Sequence, residues 1–91
     1  MKRRSSNLVY HELIGLKARV VEYSDPSVKG FEGVVVDETL KTLVLENSSR
    51  RIRVFKENGV FEFTLPDGGS VVIKGFKILG RPWERVKMVL R

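Results

Sequence analysis

The residues best placed to do chemistry in this chain are few, and most fail on spacing. His11-Glu12 is how a metalloprotease helix begins, but the fourth position after His11 is Gly15, so the second imidazole of an H-E-x-x-H pattern is missing. A single His supplies one ligand where a zinc site needs three or four. Asp37 and Glu38 are adjacent carboxylates, and their setting predicts a tight turn in which they bond backbone amides rather than share acid–base work. Gly30 and Gly33 lack the further glycine and the lysine of a phosphate-cradling loop and read as a turn and a bulge. Ser48 and Ser70 have no nucleophile elbow around them. There is no cysteine, which removes thiol nucleophiles, thiolate metal sites and disulfides together. No catalytic residue, no metal ligand set and no cofactor are expected of this chain.

What remains is the chemistry of cations. Seventeen Lys and Arg against 11 Asp and Glu leave a formal charge of +6 and a pI near 10.0, which points to a polyanion as partner, nucleic acid first and anionic membrane second. Arg50, Arg51, Arg53 and Lys56 form a run interrupted by no acid. If residues 51–55 are a strand, Arg51 and Arg53 share one face while Ile52 and Val54 point to the core, setting two forked donors side by side for neighbouring phosphates. The bland alternative is a solvated strand face. Near the end of the chain Arg81 and Arg85 stand at i and i+4, as do Lys87 and Arg91, and each pair shares a helix face. Trp83 either anchors that helix on the barrel, stacks on a base or inserts into a protein partner.

These groups need elements to hold them. Ninety-one residues, 42% hydrophobic and 31% charged, suit one small folded domain. Residues 1–15 read as a flexible basic extension with a short helix that stops at Gly15. From 16 to 80 the pattern is short β segments between turn signals. The segments are Leu16 to Val21, Phe31 to Val36, Leu40 to Glu46, Arg51 to Phe55, Val60 to Leu65, and Val71 to Leu79 broken or bulged at Gly75. Five or six strands with no helices between them bury a face only by curling, so a small antiparallel barrel is expected. Residues 81–91, with Pro82 at the first turn and Trp83, Val86 and Leu90 on one face, predict a C-terminal helical extension. No apolar run reaches the ~18 residues that a membrane span requires, and a soluble cytoplasmic protein is expected.

Three motifs carry a family resemblance. His11-Glu12-Leu13-Ile14-Gly15-Leu16, then Gly33-Val34-Val35-Val36-Asp37-Glu38-Thr39 with Thr42-Leu43, then Gly75-Phe76-Lys77-Ile78-Leu79-Gly80-Arg81-Pro82 ending in Glu84-Arg85, closely resemble archaeal ribonuclease P protein component 1 in order and spacing. The resemblance implies an all-β, Sm-like or SH3-like barrel with terminal extensions. It also implies a protein subunit of the ribonucleoprotein endonuclease that removes the 5′ leader of precursor tRNA. In such a particle the RNA subunit performs the hydrolysis with magnesium, the protein supports RNA folding near the specificity domain, and a zinc-ribbon protein subunit is its partner. On that reading Arg50, Arg51, Arg53, Lys56, Lys77, Arg81, Arg85 and Lys87, with Lys2, Arg3 and Arg4, meet RNA phosphates, and Leu8, Tyr10 and Leu13 meet the partner protein. The alternatives are a generic SH3-like nucleic-acid-binding or ribosome-associated protein, a protein adaptor and a Sm-type ring.

Overall fold

A computed structural model of the chain describes residues 13–80. Six strands, β1 (Lys17–Tyr23), β2 (Glu32–Glu38), β3 (Thr42–Glu46), β4 (Arg51–Phe55), β5 (Gly59–Thr64) and β6 (Ser70–Lys74), form one antiparallel sheet in the order β4-β3-β2-β1-β5-β6. Alternation decides which side faces in. Ala18 and Val20 of β1, Val35 of β2, Leu43 and Leu45 of β3, Val54 of β4, Phe61 and Phe63 of β5 and Ile73 of β6 converge in a single apolar core. The Phe61 and Phe63 rings lie 6.4 Å apart and tilted at its centre.

Two register shifts, between Val20 and Glu22 in β1 and between Val35 and Asp37 in β2, bend those strands and let the sheet curl. The edge strands β4 and β6 each run into a 3-10 turn, Lys56–Asn58 and Gly75–Ile78, and the two turns pack on each other. Their approach is so close that a Cβ on Gly75 would overlap the Lys56 carbonyl. The expected small barrel is therefore closed at this point by turns, where a strand-to-strand ladder would otherwise run.

Several local expectations need correction. Asp37 and Glu38 are not a turn: the second strand runs on through both, because the register shift at Val35/Asp37 keeps them in the ladder opposite Val44 and Leu43. The connection is Thr39 to Lys41, with the Thr39 amide donating to the Thr42 carbonyl at 3.0 Å and the Thr42 amide to Thr39 Oγ1 at 3.1 Å. Gly33 is not a bulge. It pairs regularly with Ala18, and a Cβ there would stand 2.7 Å from the Glu46 carbonyl oxygen, so the glycine admits β3 at close range. The last apolar segment is a strand only as far as Lys74, after which Gly75–Ile78 winds as a 3-10 turn. Of the expected N-terminal helix that stops at Gly15, residues 7–12 fall outside the described residues, as does the whole of the expected C-terminal helix, residues 81–91. From Leu13 to Leu16 the chain makes a tight turn, the Leu16 amide donating to the Leu13 carbonyl at 3.1 Å.

Candidate nucleic-acid interface

Strand β4 carries the barrel's densest cationic face. Arg51, Arg53 and Phe55 are exposed on its outer side, while Val54 is fully buried on the inner side. Cross-strand pairing places Arg51 opposite Glu46 and Arg53 opposite Val44. Arg51 is partly committed: its Nη2 and Nε lie 2.7 and 2.9 Å from Glu46 Oε2. Both partners are well exposed, so this pair contributes only about 0–1 kcal/mol to stability and its charge stays accessible. Arg53 has no ion-pair partner among the described residues. Val36, Asp37, Val44, Arg51, Ile52 and Arg53 line a shallow open groove of about 290 Å³ along this face. Its floor is apolar Val44, and its rim carries two guanidiniums and one carboxylate.

Phe55 was missing from the sequence-based set. It is 52% exposed on the same face as the two arginines, and its amide is held by the Tyr23 hydroxyl at 2.9 Å. A period of two counted from Arg51 reaches it. A solvent-facing aromatic next to guanidiniums is suited to stacking a base while the cations take phosphates.

Arg50 sits in the exposed loop before β4, where Asn47 Oδ1 accepts from the Ser49 and Arg50 amides at 2.8 and 3.0 Å. Its guanidinium carbon lies 5.2 Å from the Phe31 ring centroid, a cation–π arrangement that leaves the planar edge available. Lys77 is exposed on the second 3-10 turn. Lys41 and Lys74 are exposed as well, and neither belonged to a run of cations that would have drawn notice.

Two sequence-based assignments are overturned by burial. Lys56 is not a surface cation: its side chain has 0% exposure, and its ammonium lies 2.7 Å from Glu38 Oε2, 2.9 Å from the Thr39 carbonyl and 3.1 Å from the Gly80 carbonyl. No phosphate reaches it there. Leu13 is not a surface anchor either; it is completely buried in the core, and its amide donates to Glu38 Oε1 at 3.4 Å. Lys2, Arg3, Arg4, Leu8, Tyr10, Arg81, Arg85 and Lys87 lie outside the described residues, as does Trp83.

Among the described residues no group of three or more His, Cys, Asp or Glu side chains converges as a metal site would. None of their helices is long and apolar enough to cross a membrane.

Comparison with known proteins places this arrangement. The model for the ribonuclease P/MRP subunit p29 family matches residues 6–88. The chain belongs to that family. A ribonuclease P protein component 1 from Desulfurococcus amylolyticus is 61% identical over the whole of both chains, and one from Staphylothermus marinus is 52% identical over the same extent. Among solved structures, Mth11, described as a homologue of the human RNase P protein Rpp29, is similar with a TM-score of 0.61 and 43% identity, over 82% of this chain and 97% of that one. As a p29-family member the chain is an accessory protein subunit of ribonuclease P.

Proposed function

We propose that this chain binds ribonuclease P RNA through phosphate contacts and supports the fold in which the RNA acts on precursor tRNA. The observation that supports this reading most is the identity of 61% to a ribonuclease P protein component across its full length. On the barrel the contacts are Arg50, Arg51, Arg53 and Lys77, with Phe55 stacking on an unpaired base where one is presented. Lys2, Arg3, Arg4, Arg81, Arg85 and Lys87 extend that set at the two ends. Folded RNA is recognised mainly through shape, phosphates and 2′-hydroxyls, so base-sequence preference of the chain alone is low.

Hydrolysis, with its magnesium, belongs to the RNA, and precursor tRNA is met only in the holoenzyme. A zinc-ribbon subunit is the proposed protein partner, its metal held by its own side chains, since this chain has no cysteine and one histidine. Leu8 and Tyr10 are proposed for that contact, and the cytoplasm is the proposed compartment.

Reconstitution tests the reading. Ribonuclease P RNA and the remaining protein subunits from Desulfurococcus amylolyticus are assembled with and without this chain, and precursor tRNA cleavage is followed across a magnesium series. The chain is expected to lower the magnesium required for cleavage. Identical profiles with and without it would refute the proposal.

A further inference from the structure

Large apolar side chains that stay in water on a folded barrel are ordinary one at a time and informative when they gather. Leu40, Phe55 and Phe76, exposed by 42%, 52% and 56%, come from three separate segments: the β2–β3 connection, the end of β4 and the turn after β6. Lys56 is where those segments meet. Its amide donates to the Lys41 carbonyl at 2.8 Å, and its own carbonyl occupies the place a Cβ on Gly75 would take. Phe55 precedes Lys56 and Phe76 follows Gly75, so covalent geometry holds the two phenylalanine α-carbons within about 13 Å of each other. The backbone beneath them is fixed. The Tyr23 hydroxyl holds the Phe55 amide at 2.9 Å, and Gly75 is wedged between the Lys56 carbonyl and the Phe61 ring. Among the described residues neither Phe55 nor Phe76 packs against another aromatic ring.

The cations around this seam are uncommitted. Ion pairs among the described residues take up Arg19, Lys29, Arg51 and Lys56. Of the basic residues left over, Lys17 begins β1 and Arg50 lies over the Phe31 ring. The others, Lys41, Arg53, Lys74 and Lys77, are all exposed and all fall within two residues of Leu40, Phe55, Gly75 or Phe76. Glu57, exposed on the first 3-10 turn, is the one acid that either turn carries.

We infer that Phe55 and Phe76 form a two-ring stacking platform for a single-stranded segment of RNA, whose phosphates are taken by Lys41, Arg53, Lys74 and Lys77. The inference rests on the RNA-binding reading above and adds the kind of RNA the barrel takes, which is unpaired nucleotides and not a helix. A phenylalanine ring meets the flat face of any unpaired base, whereas a base inside a helix is already stacked on its neighbours and closed to it. Separated rings bordered by cations fit a ligand that carries flat apolar groups and negative charges in turn along one chain.

Full-length variants are titrated with an oligouridine of about 12 nucleotides, within the footprint of a small nucleic-acid-binding barrel, and with an RNA duplex of about 16 base pairs. Phe55→Ala and Phe76→Ala are each expected to weaken oligouridine binding about tenfold, the loss of one stacked base, and to leave duplex binding and the salt slope unchanged. Phe55→Leu and Phe76→Leu should behave as the alanine variants do, since leucine keeps the apolar volume and loses the ring. Changing Lys41, Arg53, Lys74 and Lys77 together to Gln should lower the oligouridine salt slope by about 3, at roughly 0.7 for each single-strand phosphate contact.

Circular dichroism checks the fold of each variant, and the leucine variants stand in for an alanine variant that loses it. Oligouridine binding that none of the phenylalanine substitutions weakens overturns the inference. Full retention of binding by the leucine variants also overturns it, and marks the patch as an apolar docking surface for a protein. Stacking on oligouridine without any preference for ribonuclease P RNA over other RNA refutes the proposed function and keeps this inference. Preferential binding of ribonuclease P RNA that both alanine variants leave unchanged does the reverse.

Discussion

Replacing Lys56 with Met should cost this small domain a large part of its stability. The ammonium is fully buried against a carboxylate that is itself 1% exposed, at 2.7 Å, so its removal takes the ammonium away from a desolvated Glu38 carboxylate. Breaking a buried pair from one side costs about 3–5 kcal/mol, most of it the penalty on the charge left behind. The Thr39 and Gly80 carbonyls lose a donor in the same step, at 2.9 and 3.1 Å, which pushes the loss toward the upper end of that range. Domains of this kind have about 5–15 kcal/mol in total, so the variant should unfold at far lower urea. The assay is equilibrium urea unfolding followed by far-UV circular dichroism at neutral pH. Arg51→Met is the control: it breaks a pair of the same 2.7 Å length, but with partners 63% and 41% exposed, and should cost about 0–1 kcal/mol. Glu38→Leu combined with Lys56→Met should recover much of the loss, because both buried charges are removed together. If Lys56→Met costs no more than Arg51→Met, the reasoning from burial is wrong.

Two further substitutions probe the frame around this buried pair. Leu13→Ala should cost about 2–5 kcal/mol in the same urea assay, since the side chain is fully buried in the core, and a cost below 1 kcal/mol would return Leu13 to the surface role the sequence suggested. Gly75→Ala should cost at least the roughly 1–3 kcal/mol of an overpacked site, because the added methyl meets the Lys56 backbone carbonyl and, at 2.9 Å, the Phe61 ring; an unchanged thermal midpoint would contradict the close packing of the two 3-10 turns.

The strands were legible wherever alternation was clean. Arg51-Ile52-Arg53-Val54-Phe55 reads as a half-buried strand, and β4 has those bounds. The same alternation, carried one residue further, puts Lys56 on the inner side with Ile52 and Val54, whereas the acid-free basic run groups it with the surface cations. Phe55 is the complementary case, since an apolar residue next to a basic run reads as core although its place in the alternation is on the outer face. The continuation of β2 through Asp37 and Glu38 could not be read, because the register shift after Val35 breaks the period on which a sequence reading depends. Gly33 and Gly75 were visible as special positions, but what each admits, the Glu46 backbone or the Lys56 carbonyl, comes from strands distant in sequence. The buried Lys56–Glu38 pair joins residues 18 apart and takes in Gly80 and Leu13, 24 and 25 residues away, a conjunction that only the folded chain makes.

The central claim, a ribonuclease P subunit that holds RNA, is tested most directly by purifying the tagged full-length chain from a lysate of its own source under native conditions and sequencing the RNA retained. The account predicts strong enrichment of ribonuclease P RNA over all other transcripts, falling steeply as salt rises. Retention of ribosomal RNA or bulk DNA in its place would contradict it.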